Sequence, residues 1–213
     1  MKYDSNYLRL YAVTDRTWLG EKTLAMQVEE ALKGGATCIQ LREKKLKEDV
    51  FLQEAFTIKA LCKRYSVPFI INDNVDIAIK CNADGIHVGQ SDLEASLVRE
   101  KIGPKMLLGV SAHTVQQAKR AEECGADYLG VGAVFSTSTK LDANAVSHED
   151  LKSICDAVSI PVVAIGGINK NNIMELAGSG IAGVSVVSAI FASAEIEKDC
   201  KKLLLLTDKM LKV

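Results

Sequence analysis

No apolar run in this 213-residue chain approaches the roughly 20 residues that a bilayer span requires. The first residues, Met1 to Asn6, are polar and carry no apolar signal core, so the sequence predicts a cytoplasmic protein without a membrane partner. Charge of one sign is missing as well. Lysine and arginine number 26, aspartate and glutamate 27, and a net charge of -1 gives no global pull toward nucleic acid. The six cysteines, Cys38, Cys62, Cys81, Cys124, Cys155 and Cys200, form no Cys-x-x-Cys pair, and most stand in apolar surroundings. They read as reduced, buried small hydrophobes. No Gly-x-Gly-x-x-Gly follows the first apolar segment, which argues against a dinucleotide site. No linker or low-complexity stretch interrupts the chain, so residues 1–213 are expected to form one domain.

What is present is alternation. Apolar segments of strand length occur at 8–15, 36–41, 68–73, 84–88, 106–111, 127–134, 162–165 and 184–187. Segments with helical spacing lie between them, at 24–32, 50–65, 76–81, 93–101, 113–124, 148–158 and 171–177, and a last one follows at 195–211. Small-residue turns recur where a helix ends and a strand begins, as in Gly34-Gly35-Ala36-Thr37 and Cys124-Gly125-Ala126-Asp127. Strand-then-helix alternation forces parallel pairing, because each crossover needs a helix. Eight units is the number that closes a TIM (β/α)8 barrel, with an open doubly wound sheet as the alternative.

In such a barrel the chemistry lies where the strands end. Two neighbouring segments, Phe69 to Asp73 and Ile86 to Asp92, pass from apolar to acidic or amide side chains. Asp73 and Asp92 then face one site, as oxygen donors suited to a hard cation such as Mg2+. Taken alone, Asn72-Asp73 reads equally well as a helix cap. On the second strand Gln40, Arg42 and Lys44 alternate, so they share the face toward the mouth. Arg42 offers a planar fork and Lys44 a mobile charge, both fit for phosphate; a solvated charge cluster is the competing reading.

Gly109 leaves space, and Ser111 offers a hydroxyl to a ligand. No Gly-x-Ser-x-Gly turn marks Ser111 as a nucleophile. The segment Ser136 to Lys140 gathers four hydroxyls and a cation, the makings of an anion pocket or a polar surface loop. Gly166-Gly167 after the seventh strand and the turn at Ser188 after the eighth match the recurrent phosphate site of these barrels. His87 reads as a core or site-wall residue, and His113 and His148 as structural, since no second histidine stands at ligand spacing. Two anion sites, one cationic and one backbone-rich, suggest the joining of two phosphorylated substrates with diphosphate leaving. No nucleophile–base pair stands out, which favours catalysis by charge stabilisation.

The segments 40–44 (QLREK), 70–74 (IINDN), 83–92 (ADGIHVGQSD), 109–114 (GVSAHT), 125–140 (GADYLGVGAVFSTSTK), 164–168 (AIGGI) and 183–190 (GVSVVSAI) resemble, in order, those of the thiamine-phosphate synthase family. The resemblance implies coupling of 4-amino-2-methyl-5-hydroxymethylpyrimidine diphosphate with 4-methyl-5-(2-hydroxyethyl)thiazole phosphate. It implies Gln40, Leu41, Arg42, Glu43, Lys44, Asn72, Ser111 and Lys140 at the pyrimidine diphosphate. Lys140, Ser111 and Arg42 are the implied catalytic groups. Thr137, Ser138, Thr139, Gly167, Val187 and Ser188 are implied at the thiazole phosphate. Asp73 and Asp92 are the implied ligands of one Mg2+ per site. Ser136 stands where the family often has proline. A thiazole tautomerase on the same scaffold and a catalytically silent phosphate-binding barrel are the competing functions, and a homo-oligomer is left open.

Overall fold

The computed structural model describes residues 5–90, 94–136 and 145–213. Eight parallel strands close on themselves in sequence order: β1 (Leu10–Val13), β2 (Cys38–Leu41), β3 (Phe69–Asn72), β4 (Gly85–Val88), β5 (Leu107–Ala112), β6 (Tyr128–Val131), β7 (Val162–Ile165) and β8 (Gly183–Val186). The closing pair is β1 with β8, in the register Leu10 to Val184, Tyr11 to Ser185 and Ala12 to Val186. This closure excludes the open sheet. Five strands, β1 to β4 and β6, are one to four residues shorter than their apolar segments, because flanking residues leave the ladder to enter turns, while β5, β7 and β8 keep the expected length within a one-residue shift.

The helices are α1 (Leu24–Lys33), α2 (Glu48–Arg64), α3 (Val75–Lys80), α4 (Ala95–Ile102), α5 (Val115–Glu123), α6 (His148–Ala157), α7 (Ser188–Phe191) and α8 (Ile196–Met210). Several begin where a side-chain oxygen satisfies an otherwise unpaired backbone N–H. Thr23 accepts from the Met26 N–H before α1, Thr114 from Gln117 before α5, and Ser147 from Asp150 before α6. The helix expected over 171–177 is instead one 3-10 turn, Ile173–Leu176. Gly178 and Gly180 lie in the left-handed region immediately after it and stop its extension. The short α7 has too few residues to show a helical period in sequence.

Period-two alternation sorts the strands into two layers. Leu10, Ala12, Ile39, Leu41, Phe69, Ile71, Ile86, Leu108, Val110, Leu129 and Val131 point outward and join the core under the helices. Tyr11, Val13, Cys38, Ile70, Leu107, Tyr128 and Val163 fill the barrel interior, with Tyr7 and Leu8 packed among them. No helix among the described residues is long and apolar enough to cross a membrane.

The cysteines divide the same way: Cys38, Cys62, Cys81 and Cys200 are buried, and Cys124 and Cys155 are half-buried. Burial pushes the Cys62 and Cys200 thiols up to about 12 and the Cys155 thiol up to about 11. The thiolate is the reactive form. An aromatic disulfide reagent at pH 8 is therefore expected to titrate at most two thiols in the native protein, Cys124 fastest, and all six in denaturant. Rapid native reaction of three or more would contradict this packing.

Candidate active site at the mouth of the barrel

A run of polar side chains crosses the barrel interior beneath the mouth. The Gln40 amide nitrogen donates to the Tyr11 hydroxyl at 2.8 Å. The Tyr11 and Tyr128 hydroxyls lie 2.8 Å apart. Tyr128 Oη is 3.2 Å from His87 Nδ1, and His87 Nε2 is 3.0 Å from Ser111 Oγ. The Tyr128 ring sits edge-on to Tyr7 at 6.2 Å and is tilted against Tyr11 and His87 at 5.9 and 5.6 Å. Burial holds the Tyr11 and Tyr128 hydroxyls well above the usual phenol range, so both stay protonated.

Missing side chains make this arrangement fit. A Cβ at Gly109 would lie 2.2 Å from Tyr128 Cζ and 2.5 Å from His87 Nδ1, and one at Gly130 would lie 3.0 Å from His87 Cε1. The strand register places Gly109 beside both His87 and Tyr128, and Gly130 beside Ser111. The space that Gly109 was expected to leave is thus filled from within the barrel.

Along β2 Ile39 and Leu41 pack outward and Gln40 inward, as the alternation predicts, while Arg42 and Lys44 follow the end of the strand. Arg42 is held by Asp15, with Nη1 3.3 Å from Oδ2, and its backbone N–H donates to Thr14 Oγ1 at 3.0 Å. The Glu43 carboxylate accepts from Arg16 Nε at 2.7 Å, and the same guanidinium reaches Glu54 of α2 at 2.7 Å. Burial pushes the Glu43 carboxyl up, against the pull of Arg16. Lys44 pairs with Asp73. With the lysine side chain about half exposed, 51%, that pair contributes little to stability and is readily exchanged for a ligand.

Asn72 is buried at the end of β3. Asp73 has φ 61, the left-handed region that aspartate tolerates better than most residues. Its backbone N–H donates to the His87 carbonyl at 2.8 Å, tying it to β4. The cap of α3 is Asn74, whose Oδ1 accepts from the Ile77 N–H at 2.9 Å. The capping alternative for Asn72-Asp73 is therefore set aside. Gln90 spans the next gap, its Nε2 donating to the Ser111 carbonyl at 2.7 Å.

Across the mouth, Gly167 has φ 66, and a Cβ there would meet the Ser136 carbonyl at 2.4 Å. Its own carbonyl accepts from Asn169 and Asn172 Nδ2 at 3.1 and 3.0 Å. The Phe135 N–H donates to the Gly166 carbonyl at 3.1 Å, which brings the end of β6 beside the end of β7. Val187 precedes α7, and Ser188 is its first residue. Asp92, Thr137, Ser138, Thr139 and Lys140 lie outside the described residues.

Sequence reasoning missed Tyr11, Tyr128, Asp15, Asn169 and Asn172. Of the buried tyrosines only Tyr128 had a readable signal, a phenol on the inward phase of its strand beside Gly109 of the preceding one. His113 and His148 take structural places, with His113 Nδ1 2.6 Å from the Gly132 carbonyl and His148 Nε2 3.3 Å from the Ala177 carbonyl. Among the described residues no three histidine, cysteine, aspartate or glutamate side chains gather to hold a metal. Asp73 and Asn72 at adjoining positions supply hard oxygen donors, the chemistry that suits Mg2+ with retained waters.

Parallel strands ending in amide, hydroxyl, guanidinium, ammonium and carboxylate groups around one opening define a (β/α)8 barrel of the phosphate-handling kind. A family model described as thiamine monophosphate synthase matches residues 10–190. A thiamine-phosphate synthase from Ruminiclostridium cellulolyticum is 53% identical over 195 residues, covering 92% of this chain and 93% of the relative. One from Clostridium tetani is 50% identical, covering 91% and 93%. The solved thiamine phosphate pyrophosphorylase of Pyrococcus furiosus superposes with a TM-score of 0.90 at 38% identity, over 97% of this chain and 98% of that one. The chain belongs to the thiamine monophosphate synthase family.

The interior packing yields a direct test. Gly109→Ala forces the Tyr128–His87 pair apart and is expected to cost about 1–3 kcal/mol of stability, read by urea unfolding. A change below about 0.5 kcal/mol would show that the interior is not closed around these rings.

Proposed function

We propose that this chain is an enzyme that joins the pyrimidine diphosphate to the thiazole phosphate, giving thiamine phosphate and diphosphate. The observation that carries the reading is the ring of ligand groups at one mouth, in a chain about half identical to thiamine-phosphate synthases over nine-tenths of its length. The substrates are small phosphorylated molecules. The reading takes residues 1–213 as a single barrel acting in the cytoplasm.

Gln40, the backbone from Leu41 to Glu43, Arg42, Lys44, Asn72, Ser111 and Lys140 hold the pyrimidine diphosphate. Glu43 serves through its backbone, because its carboxylate is engaged by Arg16. Thr137, Ser138, Thr139, Gly167, Val187 and Ser188 hold the thiazole phosphate. Asp73 and Asp92 hold one Mg2+, which supplies charge neutralisation for the diphosphate when bound. Binding releases Lys44 from Asp73 toward the phosphates.

The reaction needs no base. The bond between the pyrimidinylmethyl carbon and the diphosphate oxygen breaks, and its electron pair leaves with diphosphate. The electron-rich pyrimidine supports the resulting methylene cation, and the thiazole nitrogen lone pair forms the new C–N bond. Arg42, Lys44 and Lys140 meet the charge that develops on the leaving oxygens, and the walls bring the two substrates together. Asp15, paired with Arg42, orients that guanidinium.

The reaction is tested by mixing purified protein with both substrates and Mg2+, with an EDTA control. Equal amounts of thiamine phosphate and diphosphate should appear only with metal. Folded protein that forms neither would overturn the reading. Asp73→Asn keeps a side chain that tolerates positive φ while removing the charge. It is expected to lower kcat on the order of a hundredfold and to leave the unfolding midpoint nearly unchanged; a wild-type rate at saturating Mg2+ would remove Asp73 from the metal site. Lys140→Ala is expected to slow single-turnover release of diphosphate, and an unchanged single-turnover rate would contradict its role.

A further inference from the structure

The barrel interior holds a connected row of hydrogen-bonding groups, Gln40, Tyr11, Tyr128, His87 and Ser111, of which the proposed chemistry uses the two ends and leaves Tyr11, Tyr128 and His87 unassigned. Its members come from β2, β1, β6, β4 and β5, so the row crosses the interior rather than following one strand. Each phenol has one proton to give and can accept others. A chain in which every hydroxyl both accepts and donates along the row therefore runs one way or the other.

With the Gln40 amide nitrogen donating to Tyr11 Oη, a donor chain continuous along the row gives the Tyr11 proton to Tyr128. The Tyr128 proton then goes to His87 Nδ1. A histidine that accepts at Nδ1 carries its proton on Nε2 and donates it to Ser111 Oγ. The Ser111 proton is left to be given toward the mouth. The reverse direction, with the Gln40 amide turned over, would have Ser111 donate to His87 and present its lone pairs to the ligand. Lone pairs facing an anion are repulsive, whereas a donor at that position meets the charge of a phosphorylated substrate.

We propose that this one-way row fixes His87 as the Nε2–H tautomer and thereby makes Ser111 a directed hydrogen-bond donor to the substrate, with His87 and Tyr128 as positioning residues. The claim rests on the proposed function, because the anionic substrate that Ser111 meets is what selects the direction of the row. Gly109 and Gly130 serve the same end, since a methyl group at Gly109 would occupy the place of the Tyr128 hydroxyl. His113 provides an internal contrast: its Nδ1 lies 2.6 Å from the Gly132 carbonyl, which only accepts, so that ring donates from Nδ1.

The test begins with the wild-type protein labelled with 15N in its three histidines, read by long-range proton–nitrogen correlation. His113→Gln and His148→Gln spectra assign the signals. His87 is expected to show protonated Nε2 and bare Nδ1, the pattern opposite to His113. A proton on Nδ1, or on both nitrogens, would overturn the proposal whether or not the protein makes thiamine phosphate.

The second arm is kinetic. Tyr128→Phe keeps the ring packing but removes the donor to Nδ1. It is expected to mix the two His87 tautomers and to lower kcat between roughly tenfold and a hundredfold, with the KM for thiazole phosphate unchanged. In a Ser111→Ala background the same substitution is expected to cost nothing further, because the hydroxyl it directs is gone. Equal fold losses in both backgrounds would show that Tyr128 acts through packing alone and would overturn the relay.

Discussion

Everything at the mouth depends on the pairing of β1 with β8. Without it the eight strand ends would lie along an edge, and Arg42 after β2 could not share an opening with Ser188 after β8. The closure is tight: the Val184 N–H donates to the Arg9 carbonyl at 3.1 Å, and a Cβ at Gly183 would fall 2.0 Å from the Leu8 carbonyl oxygen. Closure also converts the two-residue period of each strand into two concentric cores. The outer one is apolar and carries most of the burial. The inner one is smaller and mixes apolar side chains with hydroxyl, amide and imidazole groups.

That mixture has a cost unless it is satisfied, since a buried polar group without a partner is destabilising by about 1–3 kcal/mol. The inner groups satisfy one another. Among the described residues the one buried side-chain polar atom lacking a partner is Gln27 Oε1, which belongs to α1 and not to the barrel interior. A satisfied network in a low-dielectric interior is rigid and directional. It gives Gln40 and Ser111, on opposite sides of the opening, fixed orientations before any substrate arrives. The charged groups nearer solvent behave differently. Lys44 and Asp73 are paired loosely enough to part, whereas Arg42 and Glu43 are held by Asp15 and Arg16.

The strand–helix alternation and the inward phase of Gln40 were legible because each follows from period alone; Arg42 and Lys44 lie past the end of β2, where the period no longer governs. Asn72 and Asp73 were legible as the polar end of β3 because polar side chains interrupt an apolar strand there. The cap belongs to Asn74, a distinction that only backbone geometry makes, since any of three consecutive Asx residues has the right chemistry. His87 read as a site-wall residue, and its link to Ser111 is a cross-strand contact 24 residues apart that depends on register. Tyr11 and Tyr128 were hidden for the same reason, being ordinary strand aromatics in sequence and hydrogen-bonded partners only once β1 and β6 face across a closed barrel. The turn at Ile173–Leu176 departs from its expected helix because two glycines beyond it outweigh the helical spacing within it.

The central claim is that one mouth holds a metal-assisted diphosphate site and a separate monophosphate site, bridged by the transferred pyrimidine. It is tested most directly by a crystal structure with thiamine phosphate, diphosphate and Mn2+ in place of Mg2+. The account predicts anomalous density at Asp73 and Asp92, with Lys44 moved from Asp73 to diphosphate. The thiamine phosphate group should lie against Gly167 and Ser188, and the Ser111 hydroxyl within hydrogen-bond reach of ligand. Metal density elsewhere, or both anions bound on the same side of the mouth with the Lys44–Asp73 pair intact, would contradict it.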